Sequence, residues 1–181
     1  MRLRMMAAGV LVGLAIGCEP GPSEPPALDP QAIAENNRGV GLMGHFQYQK
    51  AYDTFFDLVE RYPDHPDLRV NLAISQLNLQ TEADELGALA HLDRVLADHP
   101  QHLRALYVSG ILKTYRGETE AALDRFRSVA QADPADAFAA YYTGQGLAQL
   151  GRNEEALDWF ARSLAEDPYL RSAAYGASQA A

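Results

Sequence analysis

The groups in this 181-residue chain that could carry chemistry are few: five histidines, one cysteine, a glycine triplet and 24 acidic side chains. His99 and His102, in the stretch HPQH, are close enough in sequence to share a metal ion, but no Glu-x-x-His or His-Glu-x-x-His helix pair joins them to a third ligand. They are expected to be solvated loop imidazoles, and no metal is expected. GVGLMG, from Gly39 to Gly44, has the glycine spacing of a dinucleotide-binding turn. Such a turn needs a preceding strand and a βαβ unit, and the chain carries no strand pattern, so neither a nucleotide nor any other cofactor is expected. No G-x-S-x-G turn occurs, and the carboxylates are scattered rather than paired. Glu118, Glu120, Glu154 and Glu155 open helices, where the macrodipole favours negative charge. No catalytic residue emerges, and an enzyme is not expected. Cys18 stands alone, so it closes no intramolecular disulfide and builds no thiolate metal site.

The elements behind these residues are set by a repeat. Prolines recur at Pro63, Pro100, Pro134 and Pro168, at intervals of 37, 34 and 34 residues. Ahead of each runs one pattern: KAYDTFFDLVERYP, GALAHLDRVLADHP, AALDRFRSVAQADP and EALDWFARSLAEDP. Ala51, Ala88, Ala122 and Ala156 share one position, and Phe55, Leu92, Phe126 and Phe160 share another four residues later, on the same helical face. Upstream of each lies a first helix with a small residue at its centre: Gly39, Ala73, Gly110 and Gly144. A small residue there lets paired helices approach, and the large residue fills the space between successive pairs. Gly117 and Gly151 suit the left-handed turn after a first helix, with Thr119 and Asn153 as caps of the second. Three extra residues in NLQTEADELG are assigned to the loop of the second unit. In the first unit Arg38 occupies a usually apolar position, and Gly41 and Gly44 soften the helix.

This pattern, from Ala32 to about Leu170, resembles the tetratricopeptide repeat (TPR). The resemblance implies an all-α, right-handed α-solenoid of about four helix-turn-helix units (32–65, 66–102, 103–136 and 137–170), with a partial fifth or a C-terminal helix over 171–181. In that last stretch Tyr169, Leu170, Ala173, Ala174 and Ala177 are expected to present an uncovered apolar face.

Before the repeats, Arg2 and Arg4 precede the uncharged run Met5 to Gly17, which is too short to span a bilayer and has the layout of a secretory signal peptide, 1–17. LAIGC resembles a bacterial lipobox, which implies that Cys18 is lipidated and anchors the chain in the cell envelope; Glu19 after it favours the outer membrane, facing the periplasm. The next stretch, EPGPSEPPALDP, has five prolines in twelve residues and is expected to be an extended linker, 18–30. Loss of the leader takes the net charge from −9 to −11, which disfavours nucleic acid as a partner.

Repeats of this kind bind protein or peptide partners on their concave face, lined by first helices. Carrying those positions over gives Asn36, Val40, Met43, Asn71, Ile74, Asn78, Arg104, Tyr107, Ile111, Tyr115, Phe138, Tyr141 and Gln145. Asn71 and Arg104 match the clamp by which some relatives hold a C-terminal carboxylate, but Asn36, Val40 and Val108 depart from it, so an extended or helical apolar segment is the expected ligand. Tyr141 and Tyr142 are adjacent, so one of them is expected in the core. An interaction scaffold is therefore the leading reading. The other is a piece of a larger exported protein: RGVGLMG, RVNLAI and the last repeat are similar to the repeat region that precedes FG-GAP propeller and ASPIC/UnbV domains.

Overall fold

The computed structural model describes residues 26–181, so Cys18, the leader and most of the Pro-rich linker lie outside the described residues. Within them the chain forms nine helices and no strand: α1 (Pro30–Gly44), α2 (Tyr48–Arg61), α3 (Pro66–Leu77), α4 (Glu82–Asp98), α5 (Leu103–Tyr115), α6 (Thr119–Ala132), α7 (Ala137–Gln149), α8 (Asn153–Glu166) and α9 (Arg171–Ala180). Each packs chiefly on its neighbours in the chain, so the row is an α-solenoid of four helical pairs followed by a fifth first helix.

The small and large positions meet as their chemistry requires. A Cβ on Gly39 would lie 2.6 Å from the Phe55 ring, one on Gly110 2.8 Å from Phe126, and one on Gly144 2.9 Å from Phe160. Each ring is fully buried against a bare stretch of first helix, and burying such a ring contributes roughly 1.5–3 kcal/mol. In the second pair Ala73 and Leu92 do the same within one cluster of buried residues. A Cβ on Gly176 would lie 2.6 Å from the Phe160 ring, so α9 docks on α8 by the same device.

The turns repeat as closely. Gly117 and Gly151 take φ of +74° and +73°, and the equivalent places are held by Phe46 at +59° and Gln80 at +66°, side chains in a conformation that costs them about 1–2 kcal/mol. Gln47, Glu118 and Arg152 each donate a backbone N–H back to Leu42, Lys113 and Leu147, at 2.9 Å in all three turns. At the other edge, Asp29, His102 and Asp136 cap first helices by accepting from the N–H of Ala32, Ala105 and Ala139.

Several expectations are corrected. Thr119 and Asn153 are the first helical residues rather than caps; Glu118 and Arg152 precede them and make no side-chain cap. The three extra residues of the second unit lie in helix, not loop: α4 has 17 residues where α2, α6 and α8 have 14. Thr81 accepts from Asp84 N–H and caps that longer start. Arg38 is exposed, with no earlier helix among the described residues to cover α1, whereas Leu72, Ser109 and Thr143 at the same place are buried under one. At the far end most of the supposedly uncovered residues face inward. Ala173 is buried and Leu170 and Ala177 pack against the last cluster, leaving Ala174, Tyr169 and Tyr175 exposed.

Candidate interaction surface

The first helices present two unlike stretches. Between α1, α3 and α5 the side chains hydrogen-bond one another. Asn71 Nδ2 donates to Asn36 Oδ1 at 2.8 Å, and Arg104 Nη2 donates to Asn71 Oδ1 at 2.8 Å. Arg104 Nη1 also reaches Asp67 at 3.3 Å, and His102 Nε2 lies 3.4 Å from the same carboxylate. Asn71 is buried with both amide atoms used, so a hydrogen bond left open there would cost about 1–3 kcal/mol. The two residues that match the carboxylate clamp are thus bonded to each other. His102 offers Nδ1 to the Ala105 N–H while its Nε2 faces Asp67, and partial burial holds its pKa below the ordinary value, opposed by Asp67 and assisted by Arg104 and His99.

Between α5 and α7 the character changes. Tyr107 packs edge-on against Phe126 at 5.7 Å and against Tyr142 at 5.9 Å, and Tyr142 stacks on Phe126 at 4.8 Å. Tyr141 touches Tyr142 at 5.0 Å and lies 6.1 Å from Phe160. Both adjacent tyrosines are therefore half-buried, with neither wholly in the core. Burial first, then Tyr142 and Asp136, hold the Tyr107 hydroxyl well above its ordinary pKa, so it stays neutral. Beside these rings opens a cleft of about 400 Å3 lined by Leu103, Arg104, Tyr107, Val108, Val129, Asp133, Asp136 and Phe138. Phe138 is 50% exposed on its wall, although aromatic side chains usually bury most of their surface.

Of the residues named from sequence, the structure brings Arg104, Tyr107 and Phe138 into this cleft and Asn36, Asn71 and Arg104 into the hydrogen-bonded row. Met43, Ile74 and Tyr141 pack against buried clusters. Asn78 donates to the Ile74 carbonyl at 2.8 Å and finishes α3. Ile111 and Gln145 are half-buried, while Val40 and Tyr115 are exposed away from the cleft. Leu103, Val129, Asp133 and Asp136 also line the cleft, as does Val108, the departure from the clamp. Leu103 and Val129 carry no sequence signal beyond apolarity, and Asp133 and Asp136 none beyond charge. Among the described residues no group of three or more His, Cys, Asp or Glu is placed to hold a metal ion.

A sequence model of the tetratricopeptide repeat family matches residues 107–170. No curated protein matches the sequence. Among solved structures, the fold is similar to YrrB, described as a TPR protein with an unusual peptide-binding site, with a TM-score of 0.67 and 23% identity over 81% of this chain and 74% of that one. It is also similar to MamA, with a TM-score of 0.71 and 15% identity over 82% of this chain and 80% of that one. For MamA from residue 41 to its end, from Desulfovibrio magneticus RS-1, the values are 0.67 and 20%, over 85% and 95%.

Proposed function

We propose that this chain is a lipid-anchored scaffold of the bacterial cell envelope that holds a protein or peptide partner against its first-helix face. The observation that carries the reading is the apolar-lined cleft between α5 and α7, with Leu103 and Phe138 partly exposed on its walls and two aspartates on its rim. Exposed apolar surface rimmed by polar groups is what a partner covers. The similarity to a protein described as peptide-binding supports a peptide as ligand. Anchoring rests on the sequence alone: Cys18 after an uncharged run, with a Pro-rich spacer between it and α1. No helix among the described residues is long and apolar enough to cross a membrane. Several acyl chains on one cysteine give stable attachment where a single chain gives only marginal binding.

Two measurements test this. Cys18→Ser should move the protein from the membrane to the soluble fraction and abolish labelling by radioactive palmitate; a variant that stays in the membrane overturns the anchor. A photo-crosslinking amino acid at Phe138 should trap a defined partner in intact cells, while one at Asp158, on the exposed face of α8, should not. Equal yields from both positions would reject this face as the binding surface.

A further inference from the structure

The side chains that join successive first helices differ along the row. Where α1 meets α3 the bridge is two asparagines, whereas α5 meets α7 through the rings of Tyr107 and Tyr142, whose centroids are 5.9 Å apart. Beside that contact lies the cleft of about 400 Å3. Its floor is Tyr107, Val108 and buried Val129, and its walls are Leu103 and Phe138, both partly exposed.

Its rim carries an unequal charge. Arg104 is engaged by Asp67 and Asn71. Asp133 and Asp136 use one oxygen each to accept the N–H of Ala135 and Ala139, and no ion pair among the described residues engages either carboxylate. With Arg104 already matched by Asp67, the rim has an excess of negative charge, in keeping with the chain as a whole.

Resting on the scaffold reading above, we propose that this cleft is a socket for a peptide segment in which one bulky aliphatic or aromatic side chain is flanked by lysine or arginine. The apolar side chain fills the cleft between α5 and α7, and the basic neighbours pair with Asp133 and Asp136. A recognition element of this form combines a buried anchor with a charged rim.

The probe is a fluorescein-labelled peptide of sequence GKFKG, its C-terminus amidated, titrated by anisotropy onto the full-length protein at low salt. Binding should weaken about tenfold when the phenylalanine of the probe is replaced by alanine, and by a similar factor when its lysines are replaced by glutamates. Phe138→Ala, at an exposed wall position, should weaken the lysine probe about tenfold. Asp133→Asn with Asp136→Asn keeps the cap geometry and should erase the preference for lysine over glutamate. Equal binding of the lysine and glutamate probes to the unaltered protein overturns the charge assignment. Unchanged binding by Phe138→Ala, or no binding of the probe at all, overturns the socket. If the probe fails while the Phe138 position still traps a partner in cells, the scaffold reading survives and this specificity does not; if neither occurs, both fall.

Discussion

The two halves of the solenoid solve one packing problem differently. From α1 to α5 the first helices are joined by polar side chains that satisfy one another, Asn36 to Asn71 to Arg104 to Asp67. From α5 to α8 cohesion comes from rings, Tyr107, Phe126, Tyr142, Tyr141 and Phe160 in continuous contact, and the apolar cleft lies beside them. Hydrogen bonds demand short distances and defined angles. Rings fill volume and accept several contact geometries. A repeat array can thus keep its backbone period while the side-chain chemistry changes from one junction to the next.

The largest effect should come from the ring-built half. Phe126→Ala removes the ring that Gly110, Tyr107 and Tyr142 all contact, and should cost about 3–5 kcal/mol, read as a lower urea midpoint. A cost under about 1 kcal/mol would mean that the rings do not hold this half together. In the polar half, Asn71→Leu leaves Asn36 and Arg104 without their shared partner and should cost about 1–3 kcal/mol, while leaving the cleft's affinity for the lysine probe nearly unchanged. A large loss of probe binding would instead show that the row positions Arg104 for the cleft.

A smaller effect separates the halves by pH. His102 and His91 are both held below their ordinary value of 6.5, chiefly by burial, so the unfolded chain binds the extra protons first. Their contribution is fully present above about pH 6.5 and is lost as pH falls from there through the lower folded values. His102→Asn keeps a capping side chain without a titrating one and should flatten the slope of stability between about pH 7.5 and 5.5, leaving the share due to His91. An unchanged slope would show that His102 contributes nothing to it. The smallest effect is a gain: Phe46→Gly gives the first turn the residue that its counterparts Gly117 and Gly151 already have and should raise stability by under about 1 kcal/mol, seen as a higher melting temperature. A loss would show that the contact between Phe46 and Tyr48, 6.2 Å apart, outweighs the strained φ.

The fold was legible because its cause is periodic. Gly39, Gly110 and Gly144, each sixteen residues before Phe55, Phe126 and Phe160, are a local pattern with one spatial meaning. The position of the extra residues was not, because NLQTEADELG reads equally as loop or as the start of a helix. Thr81 decides it by capping a turn that the other second helices lack. The cleft was half legible. Arg104, Tyr107 and Phe138 follow from first-helix positions, but Val129, Asp133 and Asp136 reach the cleft from the end of α6 and the turn after it, which only packing across units brings alongside. Nor could the sequence tell that Asn71 and Arg104 spend their polar groups on each other.

The longer α4 has a consequence for assembly. From the left-handed residue to the alanine of the second helix is five residues in three units and eight in the other, Gln80 to Ala88. At 1.5 Å per residue the three added residues make α4 about 4.5 Å longer than its counterparts. Its acidic first turn lies near enough for Glu85 and Glu82 to add, after Glu118, to the stabilisation of the Arg116 charge in the following unit. Four similar modules on one chain risk docking out of order while folding, since each offers nearly the same groove to every other. One module of a different length, with its acidic first turn near Arg116 of its successor, is unlike the other three and so reduces the number of equivalent wrong pairings.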